Sequence, residues 1–375
     1  PSTARHLPVA RRCLLSSSTT TVLAPYRLPH YTSSPSVICA AAVQDKPRSS
    51  SASQSITDSD EDDPGPQVLA GQKAHRQDLV ATEPRAGSGL LDLADADERL
   101  APRILFHRAP RNLGFAAANN LAVSLCDTEF VALLNPDAFP EPGWLEALLD
   151  AARRHTAAAA FGSLQLLDGT SGLVDGIGDV YHVSGLSWRE GHGRPPAPAA
   201  REDREIFSAC AAAALYRREA FLAVGGFDED FFCYFEDVDL GFRLRLAGLQ
   251  ARHVPAAVAW HAGGRCVQSG PTDFALVHGH RNLVWCFVKN MPGPLLVGLL
   301  IPHLLQSMVV LAFFSTRGQG RPIVKAKGQA MAALPRMWRK RLAIQRSRRA
   351  SVRDIWRMLD TSLCRGRRGS AGGVR

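Results

Sequence analysis

The chain has 375 residues, 46% of them hydrophobic and 21% charged, enough for one or two domains with a real core. Its net charge of +9 is unevenly placed: residues 317–375 carry 17 Lys and Arg against Asp354 and Asp360, which leaves the rest mildly acidic. A basic tail favours anionic lipid or nucleic acid, but an acidic body argues against a nucleic-acid enzyme.

Residues 1–90 are rich in Ser, Thr, Pro and Ala, and no helical or strand period persists. No acid precedes Asp45, while Arg5, Arg11, Arg12 and Arg27 are present. That is the composition of an organelle transit peptide, with a disordered leader as the plainer reading. An acidic, solvated linker follows at 58–65. Order is expected from about Arg103. Ile104-Leu105-Phe106 reads as a strand, and Asn112-Leu113-Gly114-Phe115 turns into an Ala-rich helix through Leu125. The apolar run Phe130–Leu134 predicts a strand buried on both faces, as in a parallel sheet. Asn135-Pro136-Asp137 stops it, and a helix is expected from Trp144 to about His155.

The Gly- and Pro-rich stretch 162–205 predicts a mobile loop at 191–196. Residues 208–216 suit a strand or a helix, 217–224 a short helix closed by Gly225-Gly226, and 240–246 a helix ended by Gly248. Gln250–His261 reads as a strand. The uncharged run 295–314 is long enough to span a bilayer, but Pro302, His303, Gln306 and Ser307 interrupt it. A single span would also part the α/β body from the basic tail, so an interfacial helix, a re-entrant hairpin and a buried helix stay open. The expected division is a leader with acidic linker at 1–90, an α/β domain at 91–290, a hydrophobic membrane-associated segment at 291–316 and a basic helical tail at 317–375. The eight cysteines form no C-x-x-C pair and read as reduced thiols, not a zinc site.

Three places carry chemistry. Asp137 follows the carboxyl end of a strand, where α/β sheets bind ligands, and could hold a divalent cation against a diphosphate; a turn Asp is the plain alternative. Glu236, Asp237 and Asp239 crowd the start of a helix behind Phe231-Phe232-Cys233-Tyr234-Phe235. Helix capping would explain them, but apolar walls and mutual repulsion also make a general base. His261 ends a strand, where it could complete a metal shell or serve as a hydrogen-bonded loop residue.

In this order the motifs resemble family 2 glycosyltransferases, in particular rhamnosyltransferase-like members. The stretches carrying the likeness are NLGFAAANN (112–120), FVALLNPDAFPEPGWLEAL (130–148), ALYRREAFLAVGGFDEDFFCYFEDVDLGFRLRLAG (214–248) and RNLVWCFVKNMPG (281–293). The resemblance implies a GT-A, Rossmann-like α/β sheet with flanking helices, a nucleotide-sugar donor, a saccharide or lipid-linked acceptor, and Mg2+ or Mn2+. It implies Asp137 and His261 as metal ligands, Asp237 as catalytic base and Glu236 as its companion. It places Asn112, Gly114, Asn120 and Asn135 on the donor side and Asp228 and Asp239 on the acceptor side. Ala211 stands where many relatives carry Gly. The family's first strands have no counterpart in 1–102 beyond a faint candidate at 90–93, so they are expected to be missing. Active transfer and an inactive, truncated homologue therefore both stay open. The expected setting is the cytoplasmic face of a membrane, held to an anionic surface through 295–314 and the basic tail, or an organelle if the leader is a transit peptide. Nucleic acid is not an expected partner.

Overall fold

The computed structural model describes residues 111–167, 172–262 and 271–362, together with the backbone of three earlier strands. Those strands are β1 (Thr20–Tyr26), β2 (Val37–Ala42) and β3 (Leu105–Arg108). The α/β body continues with α1 (Gly114–Ser124), β4 (Phe130–Leu134), β5 (Ala138–Pro140), α2 (Trp144–Arg154) and β6 (Ala158–Leu167). Next come the short strands β7 (Val174–Gly176), β8 (Asp179–Tyr181), β9 (Ser187–Arg189) and β10 (Arg204–Ile206). Then follow β11 (Ala213–Arg217), α3 (Arg218–Ala223), α4 (Glu236–Leu246) and β12 (Gln250–His261).

The main sheet has the order β10-β12-β6-β11-β4-β2-β1-β3. It is mixed: β4 runs parallel to β2 but antiparallel to β11, and β6 runs parallel to β12. Every residue of β4 is nonetheless buried, because the strand alternates between two cores. Val131 and Leu133 face the core beneath α1, while Phe130, Ala132 and Leu134 face α2. α2 answers with one apolar stripe, Trp144, Leu145, Leu148, Leu149 and Ala152. Its Glu146 in the first turn and Arg153 and Arg154 in the last suit the helix dipole.

A helical half follows: α5 (Asp273–Asn290), α6 (Gly293–Gly298), α7 (Leu300–Thr316), α8 (Gly320–Ala332), α9 (Leu334–Arg346) and α10 (Val352–Met358). α4, α5, α8, α9 and α10 share a third core around Phe231, Phe242, Trp285, Phe287, Ala330, Met337 and Ile355.

Several expectations change. Residues 1–90 read as having no strand, yet β1 and β2 pair there, with β2 alongside β4. Two short apolar runs suffice for a strand even inside a Ser- and Pro-rich stretch. The stretch 208–216 resolves to strand only from Ala213, and β6 was missed because Ala158-Ala159-Ala160 carries no strand signature. The loop at 191–196 is pinned, with Gly193 N donating to Val174 O at 2.8 Å and Val174 N to Arg194 O at 2.9 Å. The run 295–314 breaks at Leu299, between α6 and α7; Pro302 falls in the first turn of α7, where no helical donor is needed. Among the described residues no helix is long and apolar enough to cross a membrane. The linker at 58–65, the run at 90–93 and the segment after Ala262 lie outside the described residues.

Candidate active site

The turn after β4 is fixed by its backbone. Asn135 N donates to Ala212 O at 2.8 Å, Ala138 N to Asn135 O at 2.9 Å, and Ala262 N to Asp137 O at 2.8 Å. Pairing of β5 with β12 sets Ala138 opposite His261 and so brings His261 beside Asp137. His261 Nε2 lies 3.3 Å from Asp137 Oδ1, and its Nδ1 lies 2.8 Å from Asp175 Oδ2. Asp175, on β7, is buried and also takes Arg189 of β9 and His192. Burial alone would lower the His261 pKa, but the hydrogen bonds to Asp137 and Asp175 outweigh it and lift it to about 9. Burial opposes ionisation of Asp137, and the His261 hydrogen bond and charge overcome it, holding that carboxyl below its usual range.

These residues fit a hard divalent cation. With Nδ1–H donated to Asp175, Nε2 is the atom that would bind a cation beside Asp137 once the cation has displaced its proton. No group of three His, Cys, Asp or Glu among the described residues would hold a metal unaided. Mg2+ commonly takes one or two protein ligands and completes its shell with phosphate and water. Asp175→Asn is expected to weaken Mn2+ binding by about 10–100-fold with the fold retained. Calorimetric titration with Mn2+ measures this; an unchanged Kd would remove Asp175 from the metal's support.

The second half of the site is a strained turn. Phe232, Tyr234 and Phe235 hold φ of 65°, 66° and 69°. Left-handed geometry at such residues costs about 1–3 kcal/mol each and needs outside support. α5 supplies it: Asn282 Nδ2 donates to the carbonyls of Phe231, Cys233 and Tyr234 at 2.8–2.9 Å, and Arg281 Nη2 to Phe231 O at 3.1 Å. From the other side Ala116 N donates to Phe232 O at 3.2 Å. Gly114, at φ 76°, packs so close that a Cβ there would sit 2.5 Å from the Phe232 ring.

The helix starts earlier than 240, so the acidic cluster forms the first turn of α4 itself. Its three carboxylates have different surroundings. Asp239 is fully buried, and its oxygens take Arg243, Lys289 and Asn290 at 2.7–2.9 Å. Glu236 is buried, and its Oε2 has no hydrogen-bond partner among the described residues. Burial and the neighbouring Asp237 charge push its pKa well up. Asp237 is partly exposed; Val238 N donates to its Oδ1 at 2.8 Å and Ala211 N to its Oδ2 at 3.2 Å. Asp179 adds a fourth carboxyl nearby, bonded to Ser208 Oγ at 2.7 Å and pushed up to about 8 by burial and by Asp237. Arg189 lies within electrostatic reach of Asp175, Asp179 and Asp237, so it connects the two halves.

The structure thus brings Asp137 to His261, and connects them through Asp175 and Arg189 to Asp237. Asp228 and Asp239 sit apart, clasped by Lys289 at 2.5 and 2.7 Å, with Lys340 also on Asp228. Asn112 Oδ1 accepts from Gly114 N at 2.9 Å. Asn120 locks the Phe227 backbone, donating to its O and accepting from its N, each at 2.8 Å. Gly114 and Asn120 therefore brace the acidic turn. Asp175, Asp179 and Arg189 escaped sequence reasoning. The signal for the two acids was the run Val174-Asp175-Gly176-Ile177-Gly178-Asp179-Val180-Tyr181, in which Asp175 and Asp179 stand in a glycine-punctuated apolar stretch; Arg189 had none.

A Rossmann-like α/β sheet with an acid after a central strand, a histidine opposite it and a second acidic turn beside them defines the GT-A class of fold. Residues 87–225 match the family described as Glycosyl transferase family 2. It is 31% identical over 192 residues to the N-acetylglucosaminyl-diphospho-decaprenol L-rhamnosyltransferase of Mycobacterium tuberculosis, covering 44% of this chain and 61% of that protein. It is 35% identical over 158 residues to the pre-mycofactocin glycosyltransferase of the same organism, covering 42% of this chain and 32% of that one. The matches thus span less than two thirds of those relatives' length. A mannosyltransferase from Pyrobaculum calidifontis in complex with GDP-Man and Mn2+ superposes with a TM-score of 0.34 at 18% identity, covering 66% of this chain and 68% of that one.

Proposed function

We propose that the chain transfers a glycosyl group, with rhamnose the first candidate, from a nucleoside-diphosphate donor to a hydroxyl of a saccharide or lipid-linked acceptor, with inversion. One observation carries this reading. Of the three acids opening α4, Asp237 alone is neither buried nor committed to a cation. In this reading Asp237 takes the acceptor's hydroxyl proton while that oxygen attacks the anomeric carbon. The bond to the diphosphate breaks on the opposite face, and its electron pair leaves with the phosphate oxygen. Glu236, held toward its neutral form, is a hydrogen-bond donor able to orient the acceptor. Asp137 and His261 would hold Mg2+ or Mn2+, whose charge offsets that of the diphosphate. The lipid-linked acceptor is supported by the likeness to the mycobacterial rhamnosyltransferase.

Calorimetry against dTDP-, UDP- and GDP-sugars with Mn2+ tests the donor side. One donor is expected to bind, with heat that chelation of the metal abolishes. No heat with any of them would favour an inactive homologue.

A further inference from the structure

Helix α7 turns polar residues inward and apolar residues outward. In α7 the buried side chains are His303 and Gln306. His303 Nδ1 lies 2.9 Å from Ser184 O, and its ring stacks on Phe287 at 4.0 Å. Ile301, Leu304, Leu305, Met308, Val309 and Phe313 are 46–68% exposed. Their spacing places them on one face of the helix. α8 and α9 extend this surface with Val324, Met331, Trp338 and Leu342, each 44–62% exposed. α7 packs against α8, so these exposed side chains lie on neighbouring helices, and extensive exposed apolar area marks an interaction surface.

Against α5, α8 bounds something different. Two adjoining clefts of about 350 and 420 Å³ share Arg281 and Gln329. Their walls carry four cations, Arg281, Arg321, Lys325 and Arg336, against one acid, Asp273, with Phe274 and Trp285 among them. Arg336 pairs with Asp230 at 3.1 Å, whereas Arg321 and Lys325 form no ion pair among the described residues. Two of these wall residues also touch the strained turn. Phe274 lies 6.3 Å from both Phe232 and Tyr234, and Arg281 holds Phe231 O. Val324, between Arg321 and Lys325 in sequence, is 58% exposed. Apolar face, cationic cleft and acidic turn are therefore neighbours.

We propose that the cleft between α5 and α8 binds the phosphate or diphosphate of a lipid-carried acceptor, while the outer face of α7–α9 seats in the bilayer surface. The inference rests on the glycosyl-transfer reading, which supplies the saccharide end. Cations in a half-enclosed cleft suit a phosphate dianion, and Arg offers forked donors to its oxygens. The exposed apolar face of α7, with cationic side chains on the neighbouring α8, suits an interfacial position. Cationic side chains beside that face favour an anionic leaflet.

The test is flotation of the full chain with phosphatidylcholine vesicles carrying either a polyprenyl diphosphate or phosphatidylglycerol at equal charge, without donor. Binding to the diphosphate vesicles is expected to be about tenfold tighter. Arg321→Gln/Lys325→Gln should erase that preference and keep the remaining vesicle binding. Leu304→Ser/Leu305→Ser/Met308→Ser/Val309→Ser, all at exposed positions, should abolish flotation and keep calorimetric binding of a water-soluble short-chain prenyl diphosphate. Equal binding to both vesicles, or a preference unchanged in the cleft variant, overturns the proposal. So does inorganic pyrophosphate competing as well as the lipid, which would mark a free-phosphate site. A dimer that the face variant dissociates, seen by light scattering, overturns the bilayer assignment in favour of a second copy. No donor or turnover enters these assays, so their failure is separate from failure of the transferase reading, which donor calorimetry tests.

Discussion

Asp237→Asn is expected to lower kcat by about 10²–10⁴-fold while leaving the donor Kd unchanged. Asparagine keeps the shape of the side chain and one oxygen, enough for Val238 N at 2.8 Å, and gives up the longer bond from Ala211 N at 3.2 Å. It loses the basic oxygen that would take the acceptor proton. Stability should hold or rise, because Glu236 and Asp179 both feel the Asp237 charge as repulsion. Such a trade, with repulsion in the resting protein serving turnover, is common at active sites. Asp239→Asn provides the contrast. Its carboxylate lies within the buried Arg243, Lys289 and Asn290 contacts, so its loss should appear in the denaturation midpoint. Single-turnover rates with donor and acceptor, together with urea titrations, separate the two. A rate within about threefold of wild type for Asp237→Asn would remove Asp237 from the base role, because positioned proton transfer is worth far more.

Local patterns made much of the body legible. The apolar run of β4, the stripe of α2 and the glycine-closed helix α4 follow from period and punctuation alone. The difference between Asp237 and Asp239 was also readable in principle. Two positions along a helix turn the side chain by about 200°, so one acid faces out where the other faces the core. What escaped was nonlocal. His261 meets Asp175 across 86 residues of chain, through β7 and β12 on opposite sides of β6. No spacing rule encodes that meeting. The left-handed turn was hidden for another reason. Phe232, Tyr234 and Phe235 are residues that avoid positive φ on their own, and the groups that hold the turn, among them Asn282, Arg281, Gly114 and Ala116 N, are distant in sequence. The segment before β3 reads as leader because composition gives no warning that Val37–Ala42 pairs with β4.

Lys289→Met should cost about 3–5 kcal/mol of stability at neutral pH, the largest loss expected from any single substitution in the helical half. The ammonium is 1% exposed and lies 2.5 Å from Asp228 Oδ2, 2.7 Å from Asp239 Oδ1 and 4.7 Å from the centre of the Phe231 ring. Methionine fills much of the volume but leaves two buried carboxylates short of their common cation. Burial opposes ionisation of Asp228, yet Lys289 and then Lys340 outweigh it and hold that carboxyl well below its usual range. The sign for an acid with a depressed pKa follows: this stabilisation is present above about pH 4 and is lost as pH falls below it. The penalty of Lys289→Met should therefore shrink on acidification, because protonation of Asp228 removes the charge that Lys289 had countered. Adding Asp239→Asn should return part of the loss, as coupled neighbours do. Urea midpoints at neutral pH and near pH 4 measure both effects, and a loss below about 1 kcal/mol at neutral pH would place the pair among surface-like contacts. The same lysine explains why the acidic cluster can work at all. Together with Arg243 and Lys340 it neutralises Asp228 and Asp239, so Glu236 and Asp237 can sit side by side without two further uncompensated acids next to them.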